Sequence, residues 1–156
     1  MQNQSTIFSY AMTALVAAAS LTLSVPASAT LGGTVESVER DRVHLKAQTR
    51  SQAGPGYTVH AMTAPSGTAI REYAAADGKV FAVTWSGPAM PDLRQLLGGY
   101  FSTYATDASA RRNGHAHRQI DRPELVVRSS GRQRAFSGKA YVPSMVPDGV
   151  VIDELQ

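Results

Sequence analysis

Cysteine is absent from all 156 residues, which excludes a disulfide framework, thiolate metal ligands, a cysteine nucleophile and a lipid-modified cysteine. The core must therefore hold the fold unaided. Aromatic side chains are sparse at 7%, with Trp85 the single tryptophan. Charge is missing altogether from the first 29 residues. Missing too is any stretch with the spacing of a metal, nucleotide or nucleophile motif, and there is no internal repeat. No activity can be read directly from the chain. Its legible properties are compartment, architecture and a few side chains.

The uncharged start has the features of a leader. Residues 7–25 are largely apolar and run into Pro26-Ala27-Ser28-Ala29, where Ala27 and Ala29 give the small-x-small pattern of a signal-peptidase site. Cleavage is expected near Ala29, giving a periplasmic or secreted protein. The n-region MQNQST carries no Lys or Arg, so the alternative is a retained leader acting as a membrane anchor. The expected division is a cleavable signal peptide at 1–29, an N-terminal segment and linker at 30–56, and one α+β domain at 57–156.

That domain is organised by residues 77–104, DGKVFAVTWSGPAMPDLRQLLGGYFSTY. Asp77-Gly78 is a hairpin signal because both residues accept positive φ, and Pro65-Ser66-Gly67 marks a second turn upstream. Three strands are expected at 57–64, 68–75 and 79–86. If both hairpins close on two-residue loops, Ile70 pairs with Trp85 and Thr63, Glu72 with Val83 and Ala61, and Ala74 with Phe81 and Val59. Glu72 is then a lone carboxylate on an apolar face. From Pro91, Leu93, Leu96, Leu97, Tyr100, Phe101 and Tyr104 recur as one helical stripe, interrupted on its flank by Gly98 and Gly99. The spacing predicts a long helix running to Arg112, ended at Asn113-Gly114 and packed across that face. A polar loop over 115–123 and a second hairpin, 124–130 with 133–142 turned near Gly131, complete the expected fold. The expected fold class is thus α+β: an antiparallel three-stranded meander, one long helix and a second β-hairpin. Residues 34–48 are ambiguous between helix and strand, with a short helix preferred.

Basic charge is concentrated late. Between 111 and 139 lie Arg111, Arg112, Arg118, Arg122, Arg128, Arg132, Arg134 and Lys139 against only Asp121 and Glu124. Arginine dominates, which suits bidentate recognition of phosphate or carboxylate. In an exported chain this points away from nucleic acid and toward an anionic envelope component or an acidic protein partner, with peripheral membrane contact included. Arg111, Arg112, Arg118, Arg128, Arg132 and Arg134 are the candidate binding residues; the bland alternative is a solvated charged face.

Other candidates are weaker. Glu72, desolvated under a helix, would be either a general acid/base or ligand-binding group in a helix–sheet pocket, or a structural carboxylate held by a cation or donors. His115 and His117, with His44 and His60 as further ligands, form the best metal candidate, yet arginines crowd them, so no metal site and no cofactor are assigned. GRQRAFSGKA at 131–140 lacks the glycine spacing and hydroxyl of a phosphate-binding loop. Trp85, Tyr100, Phe101 and Tyr104 have the spacing of core residues.

The strings YTVH at 57–60, IREY at 70–73, DGKVFAVTWSGP at 77–88, PDLRQLLGGYF at 91–101 and AFSGKAYVPSMVPDGV at 135–150 are similar to a proteobacterial family of small exported proteins, domain of unknown function 2844. The resemblance spans nearly the whole chain after the leader. It implies export and a single compact domain, and it implies no activity and no catalytic residues. The leading functional expectation is therefore a non-enzymatic binding or accessory module. A small enzyme or ligand-binding domain using Glu72 is the alternative.

Overall fold

The computed structural model describes residues 31–34, 38, 43, 48–106, 111–112 and 117–156. Residues 1–30, with the expected leader, most of 34–48, His44, His115 and the expected Asn113-Gly114 cap lie outside the described residues. Within them the chain is mainly β. One antiparallel sheet contains β1 (Gln48–Gly54), β2 (Tyr57–Thr63), β3 (Ala69–Ala75), β4 (Val80–Gly87), β5 (Arg111–Arg112), β6 (His117–Asp121), β7 (Val126–Arg132) and β8 (Ala135–Tyr141). Its order is β1-β2-β3-β4-β8-β7-β6-β5, so two meanders meet where β8 pairs with β4.

The expected α+β domain of a three-stranded meander, one long helix and a second hairpin is thereby corrected, for local reasons. Gly54, Pro55 and Gly56 read as a linker, but they close β1 onto β2: Gly54 pairs with Tyr57, and Gly56 at φ 76° follows proline in a type II arrangement. Residues 117–121 read as a loop because Ile120 is the one buried residue of β6. Only its register with β7 makes it a strand. The β7–β8 turn lies at Gln133-Arg134, with Arg134 at φ 62°, rather than near Gly131.

The long helix is also corrected. α1 (Leu93–Leu97) is capped by Asp92, whose Oδ1 accepts from the N–H groups of Arg94 and Gln95 at 2.9 and 3.2 Å. Gly98 then takes φ 47°, a 3₁₀ turn spans Gly98–Tyr100, and α2 (Phe101–Thr106) finishes the segment. The glycine pair expected to bend the helix breaks it. The stripe nevertheless points inward: Leu93, Leu96 and Leu97 are buried, with Tyr100, Phe101 and Tyr104 packed against the same core.

Loop length sets the register. Ala64 accepts from Gly67 and donates to Thr68, and Ala75 accepts from Gly78 and donates to Lys79, so both hairpins close on three residues with Gly67 and Gly78 in the left-handed region. The extra residue shifts β2 by one against β3, placing Ile70 beside Met62, Glu72 beside His60 and Ala74 beside Thr58. Between β3 and β4 a bulge at Phe81 absorbs the same shift, and the expected pairs Ile70 with Trp85 and Glu72 with Val83 stand. Ala74 pairs with Val80 instead of Phe81.

The bulge decides which face Phe81 joins. Ile70, Val83, Trp85, Met62, Val127 and Ala140 pack under α1 with Leu31, whereas Phe81 joins Tyr73, Ala82 and Leu155 in a second cluster. Glu72, paired with Val83 in the register, shares the helix side and is opposite to Phe81, contrary to the expected arrangement. The molecule is consequently layered: α1 and α2 on one face, the sheet, and on the other face a strap over residues 142–156 that carries two 3₁₀ turns, Pro143–Met145 and Ile152–Glu154.

Candidate functional site

Side chains alternate between faces along each strand, so residues directly paired across strands form rows on one face. One such row crosses the whole sheet: Arg50, Ala61, Arg71, Thr84, Lys139, Arg128, Gln119 and, by backbone register, Arg111. It lies on the strap side. Beside it runs a row of hydroxyls and one imidazole: Ser86, Ser137, Ser130 and His117, with Ser130 Oγ and Ser137 Oγ 3.0 Å apart.

The helices cover the opposite face and the strap covers only part of this one, so the two rows floor an open groove of about 620 Å³. Arg71, Thr84, Arg128 and Lys139 line it with Ser86, Ser130 and Ser137, and no Asp or Glu is among its described lining residues. Thr84 is only 5% exposed, and its Oγ1 has no hydrogen-bond partner among the described residues. A buried hydroxyl without a partner, flanked in register by two cations, marks a place where polarity is provided and left unused.

The strap already supplies oxygens to these cations. Lys139 Nζ donates to Asp153 Oδ1 at 3.1 Å and to the Ile152 carbonyl at 3.1 Å, while Arg128 Nη1 lies 3.9 Å from the same carboxylate oxygen. The hydrogen bond and charge of Lys139, with Arg128 adding to them, hold the Asp153 carboxyl below its ordinary value. Arg71 Nη1 and Tyr73 Oη both donate to the main-chain oxygen of Gln156, at 2.9 and 2.6 Å. Two positions along one row thus bind oxygen acceptors from the chain itself.

The six arginines singled out in the sequence separate. Arg128 and Arg118 both line the groove. The Arg118 guanidinium turns to the helix side, where it stacks 4.3 Å from the Tyr104 ring centroid and donates to the Tyr104 carbonyl. Arg132 and Arg134 are exposed at the β7–β8 hairpin and do not line the groove. The side chains of Arg111 and Arg112 lie outside the described residues. Arg71 and Lys139 enter instead, while Arg50 shares their row without lining the groove. They were missed because nothing in sequence links positions 71, 128 and 139; only the strand register does.

Glu72 is 1% exposed on the helix side and lines no part of the groove. Its row contains His60, whose Nδ1 lies 2.9 Å from Ser51 Oγ, and desolvation holds that imidazole below its usual value. His117 stands on the other face, so the two described histidines do not converge. Among the described residues no three His, Asp or Glu side chains gather as metal ligands, and no helix is long and apolar enough to cross a membrane.

No curated protein and no solved structure matches the chain. A family model does, over residues 27–155, which is most of the sequence, and the chain belongs to that family, described as "Protein of unknown function (DUF2844)".

Proposed function

We propose that this chain is an exported, non-enzymatic binding module that takes an anionic envelope component or partner on the open half of its sheet. The observation that carries this reading is the row Arg71, Thr84, Lys139 and Arg128 in a groove without Asp or Glu in its described lining, where Asp153 already acts as an anion for two of the cations. Cations that share one recess in this way reinforce one another's field, whereas cations scattered over a surface act singly. The apolar leader and small-x-small site support the exported part.

The contact residues are thus Arg71, Arg128 and Lys139. Elution of the full chain from a carboxylated matrix against a salt gradient tests the assignment. Replacing Arg71, Arg128 and Lys139 together by Ser should move elution to clearly lower salt than replacing Lys79, Arg94 and Arg134, which removes equal charge elsewhere. Equal shifts would reduce the groove to net charge alone and defeat the reading.

A further inference from the structure

We infer that the anion bound in this groove is an acidic polysaccharide, a chain of linked sugars bearing carboxylates laid across the strands; the inference rests on the anion-binding reading above. Spacing is the first argument. Arg71 and Lys139 stand two strand steps apart with Thr84 between them, and Arg128 is one step further. At ~4.8 Å per step the backbone positions of the first two cations are ~10 Å apart along the row. A linked pyranose advances along its chain by a distance close to one step. A carboxylate on alternate sugars therefore meets Arg71 and then the Lys139–Arg128 pair, while the sugar between lies over Thr84.

Hydroxyl chemistry is the second argument. Ser86, Ser137 and Ser130 run parallel to the cations, and serine and threonine hydroxyls both donate and accept. Sugar hydroxyls do the same, so the two rows match a polyol with charges attached. An ionised lipid phosphate only accepts, and it would leave the acceptor capacity of this second row unused. Lys139 is also recessed, its side chain 22% exposed, although Arg128 beside it is 52% exposed, and the exposed large hydrophobic residues Val43, Met90 and Val151 do not line the groove. A bilayer surface prefers protruding bases with apolar side chains beside them.

The third argument is the strap itself. A carboxylate oxygen from Asp153 and a main-chain oxygen from Gln156 occupy the two positions that the sugar carboxylates would take. The bound chain exchanges with these two oxygens.

The full chain is titrated calorimetrically with a short oligogalacturonate, its methyl ester, an oligoglutamate of equal charge, and phosphatidylglycerol vesicles. Oligogalacturonate should bind about tenfold or more tightly than oligoglutamate, equivalent to about 1.4 kcal/mol, and the uncharged ester should not bind. The exposed Ser86→Ala and, separately, the exposed Ser137→Ala should lower affinity for oligogalacturonate and leave that for oligoglutamate unchanged. Equal affinity for oligoglutamate, equal losses for both ligands, or preference for vesicles would overturn the polysaccharide assignment and leave anion binding standing. Binding to none of the four would remove both.

Discussion

Gly138 is where the two meanders close, because a Cβ built there falls 2.3 Å from Trp85 Cζ2 and 2.8 Å from the Arg128 carbonyl oxygen. The indole lies across the strand, and only glycine leaves room for it. Gly138→Ala should destabilise the protein by about 1–3 kcal/mol through overpacking, seen in urea denaturation, with a changed Trp85 emission as local reporter. His60 gives a second residue-scale expectation. Burial lowers its affinity for a proton below the ordinary value of 6.5. The unfolded chain therefore takes up the proton first as pH falls. Stability should be complete above about pH 6.5 and decline below it, as linkage requires. Melting temperatures from pH 8 to 5 should show this decline in the native chain and a flatter profile in His60→Gln; parallel profiles would assign the decline to other groups.

Among the elements, the strap is held at its end by polar contacts and along its length by Leu155 against Tyr73 and Phe81. Asp153→Asn removes the charge that engages Lys139 and Arg128 and keeps the side chain's shape. Affinity of the groove for a polyanion should rise several-fold, and the amides of Glu154 and Leu155, which close the last 3₁₀ turn, should exchange faster. An unchanged affinity would place these two cations outside the binding surface. The elements also show what local sequence can specify. The leucine stripe was legible because periodicity acts over a few positions, whereas Ile70 with Trp85 and Glu72 with Val83 pair as expected only because the bulge at Phe81 offsets the longer loop. Strand β1 was not legible, since its sequence QTRSQAG has neither alternation nor apolar content and takes its order from β2. The same limit hid His60 beside Glu72: one additional loop residue changes every partner, and Pro65-Ser66-Gly67 is compatible with either loop length. The groove was least legible, because Arg71, Arg128 and Lys139 come from three strands and share no local pattern.

For the whole molecule, the cation row is a standing internal repulsion that the sheet holds together. Screening should relieve it, so the melting temperature ought to rise over the first additions of sodium chloride, and more steeply with a bound polyanion. The Arg71, Arg128, Lys139 triple-Ser variant should lose most of this salt response; a response equal to that of the native chain would locate the repulsion elsewhere. Assembly of the sheet also depends on one distant pairing, since β4 must wait for β8 while the other described pairs join neighbouring strands, and folding in the millisecond to second range is expected on that ground.

The position of β8 has a further consequence. It is the final strand to leave the ribosome, yet it sits between β4 and β7 at the middle of the sheet. Any chain cut short before residue 135 would present Val80, Val83 and Trp85 on a raw hydrogen-bonding edge with nothing to receive it. Late premature stops in the reading frame should therefore yield insoluble material and not a smaller folded protein.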